Sequence, residues 1–367
     1  MTLNSSDRKI SQTSLYPRRA RTALFAVTAL ATVLACGTDD EDADDADATT
    51  EADALANYTP ASMGMNANGV AFPMGVQDWG VVSAVARPDN GQVRVLLGNE
   101  IAVQAARSGN VNPWPEGTML SDLAWDAVVN PEDPNSVTTG NFALVALMVK
   151  DSTKYAADGN WAYGRWSGPM LMSPAATDMD LLNTGCVNCH TGSVADKDMV
   201  FTNAPTFPTQ AQLDGLVDGP APTAVAPPAG MLDWRFLGIA DVLRPTAQLR
   251  VLVGNDTAVN AFRSGQTNPW PDGSMISHFV WGATDNADMG IEGVVTPGNL
   301  GAVTLMQRSE ALYGDNGSWA YGRWAGADLA PLATAEDQQG CVNCHTMNVE
   351  DRDMVFNDMG ALPDLLK

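Results

Sequence analysis

From residue 79 onward the chain runs in short apolar stretches rich in β-branched and aromatic residues, each bounded by Gly, Pro or Asn. Trp79 to Ala86, Gln92 to Leu97, Thr118 to Trp125 and Phe142 to Val149 fit strands rather than helices. One helix interrupts them: Asn99 suits an N-cap, Ile101 to Ala106 carry the helix, and Gly109 ends it. Asn255 to Gly265 repeats that arrangement. The pattern predicts an α+β fold, mainly antiparallel β, with few helices.

The pattern occurs twice because the chain does. Asn112-Pro113-Trp114-Pro115-Glu116-Gly117-Thr118 returns 156 residues later as Asn268-Pro269-Trp270-Pro271-Asp272-Gly273-Ser274. Trp161-Ala162-Tyr163-Gly164-Arg165-Trp166 returns unchanged from Trp319, and Asp198-Met199-Val200-Phe201 from Asp353. A period this long means two homologous domains rather than a solenoid. We place the first at 56–203 and the second at 231–367. The prolines between them, Pro205, Pro208, Pro220, Pro222, Pro227 and Pro228, make 204–230 a semi-rigid linker. The two repeats are expected to pack on one another as an internal pseudo-dimer.

The N-terminus reads differently. Arg18, Arg19 and Arg21 precede an apolar run from Ala23 to Ala35, which ends Val33-Leu34-Ala35-Cys36. This is the form of a signal peptide over 1–35, with Cys36 placed as the lipid-bearing residue of a bacterial lipoprotein. The run is too short to span a bilayer; an uncleaved anchor is the alternative. Thr38 to Asp53 holds nine carboxylates and no basic residue, so 36–55 reads as an extended acidic tether. The expected location is exported and membrane-anchored, facing the periplasm or cell exterior. A net charge of −23 disfavours nucleic acid; it suits a basic redox partner, and equally it suits plain solubility.

Chemistry concentrates at Gly185-Cys186-Val187-Asn188-Cys189-His190-Thr191, repeated without change from Gly340 to Thr346. Cys-x-x-Cys-His is the attachment signature of a c-type haem: two thiols one helical turn apart, and a histidine as the proximal iron ligand. A dithiol pair needs no such histidine, and a zinc ribbon would gather both Cys pairs into one small module. The expected cofactors are therefore two covalently bound haem c groups, held by Cys186, Cys189, Cys341 and Cys344 with His190 and His345 on iron. Cys36 is the cysteine left over, free to carry lipid.

The order of motifs within each repeat resembles the cytochrome P-460 family, whose fold is similar to that of β-type cytochromes c′. Asp78-Trp79, Arg107-Ser108-Gly109, Pro115-Glu116-Gly117 and Cys186 to Phe201 carry the resemblance in the first repeat. Asp233-Trp234, Arg263-Ser264-Gly265, Pro271-Asp272-Gly273 and Cys341 to Phe356 carry it in the second. The resemblance implies a homodimeric antiparallel fold with an open distal side on the haem. Some members oxidise hydroxylamine through a haem crosslinked to a lysine; others bind NO or CO. The crosslinking position, five residues beyond the Pro-acid-Gly turn, holds Asp122 and His278. The only lysines are Lys9, Lys150, Lys154, Lys197 and Lys367, which excludes the crosslink from the second repeat. Lys150 and Lys154 read as solvated residues near a sheet edge.

His278 and Asp122 are thus the candidate catalytic residues. His278 is either an iron ligand, a distal hydrogen-bonding group or an ordinary buried histidine; Asp122 is a distal carboxylate or a surface aspartate. Met199 and Met354 fit packing at the haem edge better than ligation, and Arg165 and Arg323 could pair with propionates or acidic side chains. The function expected is a membrane-tethered di-haem cytochrome for electron transfer, for binding small nitrogen-oxide ligands such as NO or hydroxylamine, or both. The alternative is a haem enzyme that oxidises hydroxylamine or NO, or reduces peroxide, without the crosslink.

Overall fold

The computed structural model describes residues 64–66, 69–131, 133–173, 185–201, 204–218, 224–243, 247–286, 290, 293–326, 328–331, 334–356 and 359–367. The expected signal peptide and tether, with Cys36, fall outside the described residues. Among the described residues, no helix is long and apolar enough to cross a membrane.

Each repeat builds the same elements. The first has β1 (Gly80–Arg87), β2 (Gln92–Gly98), α1 (Glu100–Ser108), β3 (Met119–Val129), β4 (Ser136–Lys150), β5 (Trp161–Ser167) and α2 (Val187–Val194). The second has β6 (Arg235–Val242), β7 (Gln248–Gly254), α3 (Asp256–Ser264), β8 (Met275–Asp285), β9 (Val295–Arg308), β10 (Trp319–Ala325), the short β11 (Ala330–Pro331) and α4 (Ala335–Val349). The chain is mainly antiparallel sheet with a few helices, as the pattern predicted.

Local chemistry fixes the helix ends. The Asn99 side chain accepts from the Ala102 amide at the start of α1, and Gly109, at φ 75°, closes its end in the left-handed region. Asn99 also acts on the Pro-acid-Gly turn, because its Nδ2 donates to the Gly117 carbonyl at 2.9 Å and ties that turn to the helix start. Asn255 does the same with Ala258 and Gly273. Each turn therefore delivers its following strand, β3 or β8, in a fixed position.

The strand ladder runs β1-β2-β3-β4-β6-β7-β8-β9, and a bridge from Ala86 to Val295 returns it to β1. Four strands from each repeat thus close a ring, with β5 on β4 and β10 on β9 as lateral extensions. Ser136 to Thr138 of β4 pair with Val242 to Ala240 of β6 at the other junction between repeats. Register sorts the side chains. Leu96, Asp122, Ala146 and Arg165 stand in one cross-strand row, and Leu252, His278, Thr304 and Arg323 in its counterpart. The opposite face carries Val95, Leu123, Val145 and Trp166, matched by Val251, Phe279, Val303 and Trp324, all buried. Because side chains are buried on both faces, β3 and β8 do not alternate in burial: Leu120, Ser121, Leu123, Ala124 and Trp125 are all buried, as are Ile276, Ser277, Phe279, Val280 and Trp281.

The stretch 204–230, expected as a semi-rigid linker, packs onto the domains at several of its described residues. Leu213 and Val225 are fully buried, Asp218 and Val225 form a β-bridge, and Phe207 packs edge-on against Phe279 and Trp281. Here the Trp281 Nε1 donates to the Thr206 carbonyl at 3.0 Å. The C-terminal segment does the reciprocal: the Trp125 Nε1 donates to the Ala361 carbonyl at 2.8 Å, and the Gly360 amide donates to Leu237. The segment following each repeat therefore caps a buried tryptophan of the other.

Two of the motifs that define a repeat meet across this junction. Arg107 at the end of α1 pairs with Asp233 at 2.8 Å, and Arg263 at the end of α3 pairs with Asp78 at 2.7 Å. Asp78 also receives Arg235 at 2.9 Å. Burial pushes the Asp78 carboxyl up, but the hydrogen bonds and charge of Arg235 and Arg263 outweigh it and hold its pKa below the ordinary value. Since the Asp78 side chain is 42% exposed and Asp233 is 75% exposed, screening keeps both contributions small. Asp78→Ala should lower the unfolding free energy in urea by about 0.5–1 kcal/mol, and Asp233→Ala by less. The stabilisation from Asp78 is complete above its unfolded pKa and fades as pH falls through the lowered folded one. Parent and variant curves should accordingly converge in acid.

Candidate functional site

The repeated Cys-x-x-Cys-His sequence lies on α2 in the first repeat and on α4 in the second, with Cys186 in the turn that leads into α2. Helical spacing sets the two thiols of each pair one turn apart. Cys186 and Cys341 are half-buried, Cys189 and Cys344 are exposed, and none of the four is in a disulfide among the described residues.

Each motif histidine is held by its backbone surroundings. The Nδ1 of His190 lies 2.6 Å from the Met199 carbonyl, and that of His345 lies 2.5 Å from the Met354 carbonyl. A carbonyl only accepts, so Nδ1 carries the proton and Nε2 is left with a free lone pair, the arrangement an iron-binding imidazole needs. Tyr163 and Phe201 flank His190 at 4.8 Å between centroids, and Tyr321 and Phe356 flank His345 at 4.7 and 4.9 Å. Burial pushes the pKa of both histidines down, against the pull of the carbonyl bond.

The carbonyl is delivered by strained backbone. Asp198 and Met199 have φ of 51° and 67°, and Asp353 and Met354 have 50° and 66°, a region that costs non-glycine residues about 1–2 kcal/mol each. What holds them there is the aspartate. Asp198 accepts from the Trp114 amide at 2.7 Å and pairs with Lys150; Asp353 accepts from the Trp270 amide at 2.7 Å and pairs with Arg308 at 2.9 Å. Lys150 is thus buried and ion-paired, not solvated near an edge as expected. The reason is that a cation there neutralises a carboxylate that packing has taken out of water. It is also removed as a crosslinking candidate. Lys154, by contrast, is exposed and lies over the Tyr155 ring.

The other expected residues fall as follows. Met199 and Met354 offer their carbonyls to the histidines, and their side chains pack over Gly159 and Gly317, where a Cβ would collide with them. Arg165 and Arg323 stand in the rows of Asp122 and His278. Their backbone amides donate to Asn66 and Asp218, and the Arg165 Nε donates to Ser167 at 3.2 Å.

Opposite the motif histidines the two repeats differ. In the first repeat Asp122 stands in the row that matches His278 and meets Arg94 at 3.5 Å. Burial raises its pKa, against the pull of Arg94, Arg87 and His190. His278 faces the second site, with Nδ1 3.0 Å from the Thr304 hydroxyl, so Nε2 is the ring nitrogen left for the cavity. Burial, and then the charges of Arg250 and His345, push its pKa down to about 3; the imidazole is neutral. Thr304 occupies the place of Ala146 in the first repeat, and so only the second repeat has a hydroxyl to orient this histidine.

A cavity of about 600 Å³ lies between His278 and His345, bordered by Cys341, Cys344, Arg250 and Tyr321. That is a cofactor-sized space. His278 and His345 both line it, the Cys pair forms part of its border, and the buried Tyr321 hydroxyl has no hydrogen-bond partner among the described residues. These residues fit a haem. Sequence reasoning missed the roles of Asp198, Asp353, Lys150, Arg308, Arg94 and Thr304. The signal was present for the aspartates, in the repeated Asp-x-Val-Phe, and for the exchange of Lys150 for Arg308 at matching positions.

Asp353→Ala should leave the nearly buried Arg308 with Asp272, at 2.8 Å, as its remaining carboxylate partner and release the left-handed turn. A loss of about 2 kcal/mol in unfolding free energy is expected, with a changed environment at His345 that NMR of the imidazole would register. A cost below about 1 kcal/mol would mean that the carboxylate does not hold this turn.

Comparison with known families places this geometry. The family model described as Cytochrome P460 matches residues 73–202 and, a second time, residues 228–357. No curated protein matches the chain. The two matches together cover well over half the sequence, and each ends just beyond a Cys-x-x-Cys-His helix and the aspartate that fixes its histidine. The chain belongs to the cytochrome P460 family, as a haem-binding cytochrome with two such domains in tandem.

Proposed function

We propose that this protein is a di-haem c-type cytochrome, with one haem bound covalently in each repeat, that transfers electrons and binds small nitrogen-oxide ligands at haems of unequal character. The observation that carries the reading is the pair of motif histidines, each fixed as the Nδ1–H tautomer by a backbone carbonyl. Bound haem supplies an iron that cycles between ferrous and ferric states and accepts small ligands. The chain's own residues do the rest. His190 and His345 present Nε2 on the proximal side, and Cys186, Cys189, Cys341 and Cys344 fix one haem edge. On the distal side the first repeat offers a carboxylate beside Arg94, and the second a neutral imidazole steadied by Thr304. A nearby carboxylate favours the ferric state, whereas a neutral imidazole can ligate iron or bond a ligand already there.

We place the mature protein outside the cytoplasmic membrane, tethered by lipid on Cys36 and the acidic segment after it. The net charge of −23 over the full chain would draw a basic electron-transfer partner. A second reading, oxidation of hydroxylamine or NO or reduction of peroxide, is favoured by Asp122. Burial raises this carboxyl, which suits it to take up and return a proton during substrate turnover.

Acid-acetone extraction should leave both haems on the chain, and the intact mass should exceed that of the polypeptide by two haems. Free haem in the organic layer would defeat the reading. His278→Ala should change the spectrum, midpoint potential or NO affinity of the second haem while leaving the first nearly as it was. Identical titrations of parent and variant would remove His278 from the distal side.

A further inference from the structure

The cavity of the second repeat does not end within that repeat. Its lined face runs from Val280 through Arg250 to Ala240, which are register neighbours on β8, β7 and β6. The next row, Gln248 and Val242, continues directly onto Ser136, because β6 pairs there with β4 of the first repeat. Ser136, Asn130 and Asp133, all from the first repeat, form the far wall.

This wall is rigid and polar. The Asp133 carbonyl accepts from both the amide and the hydroxyl of Ser136, at 2.8 and 3.0 Å, and the Asp133 Oδ1 accepts from the Asn135 amide at 3.1 Å. The Asn130 amide donates to the Ser136 carbonyl at 3.0 Å. Asn130 and Ser136 are almost wholly buried, at 1% and 2% exposure, although they flank the connection between β3 and β4. A reciprocal contact exists at the other centre. Asn286, which stands 156 residues after Asn130, donates through Nδ2 at 3.4 Å to the carbonyl of Phe201, the residue whose ring flanks His190.

We infer that the second centre is a composite site, with a polar end supplied by the first repeat, so that Asn130, Asp133 and Ser136 set the environment of the haem held by Cys341, Cys344 and His345. This rests on the di-haem reading above. The three are positioning residues: they act on the electrostatics and shape of a site whose attachment chemistry lies in the other repeat. A carboxylate brought up to a haem favours the more positive, oxidised iron.

The test is Asp133→Asn in the full-length chain, a change that keeps the acceptor for the Asn135 amide and removes the carboxylate. A redox titration followed optically should show the midpoint potential of the second haem rising and that of the first unchanged. Full-length chains with Cys186 and Cys189 both changed to Ala isolate the second haem and should show the same rise. Asn130→Ala is the second variant, expected to shift the absorption or spin-resonance spectrum of the second haem alone. A rise confined to the first haem, or two-haem protein indifferent to both variants, overturns the composite site while leaving the di-haem reading intact. A parent chain that carries no haem defeats both.

Discussion

One largely enclosed carboxylate in each repeat, Asp198 or Asp353, holds together what would otherwise come apart. It neutralises an almost buried cation at the end of the longest strand, accepts the amide of the tryptophan in the Pro-Trp-Pro turn, and fixes two left-handed residues in succession. Those two residues present the carbonyl that settles the motif histidine's tautomer. Sheet, turn and haem-binding helix thus meet at a single side chain. The left-handed backbone is tolerable because the carboxylate's bonds over-determine it. The exchange of Lys150 for Arg308 between the repeats leaves this arrangement unchanged, since what the site requires is a cation within reach.

The same economy governs the contact between repeats. Arg-Ser-Gly and Asp-Trp look like unrelated signatures within one repeat, yet each arginine finds its aspartate in the other. The closed ring of strands explains why. A four-stranded sheet leaves two edges with unpaired backbone groups, and here the β4–β6 and β9–β1 junctions pair part of those edges with each other. Two domains on one chain bring about internally the pairing that separate chains would need concentration to achieve.

Much of this was legible in the sequence. The strands, the Asn-capped and Gly-ended helices and the duplication all follow from local chemistry, and the structure reproduces them within a residue or so except where β3 and β4 run on. Leu120, Asp122 and Ala124 share the face that strand periodicity assigns them. Long-range pairing was harder to read. Lys150 looked like a solvated lysine because its partner lies 48 residues away, and the prolines of 204–230 suggested a semi-rigid linker because nothing local reveals that Leu213 and Val225 are buried. Thr304 escaped notice since its meaning depends on β9 lying beside β8, a register that sequence spacing alone does not fix.

The exchanged caps on the tryptophans carry a consequence for how the chain is made. The Ala361 carbonyl that receives the Trp125 indole is 236 residues downstream of it, so this contact in the first repeat waits until the sheet of the second repeat has been translated. The second repeat has no such wait, because the Thr206 carbonyl for Trp281 precedes it in the chain. Domains usually complete themselves in the order of synthesis; here the order is partly reversed, and the part of the protein made first is sealed last. A chain broken before Ala361 would therefore carry its defect in the opposite half of the molecule.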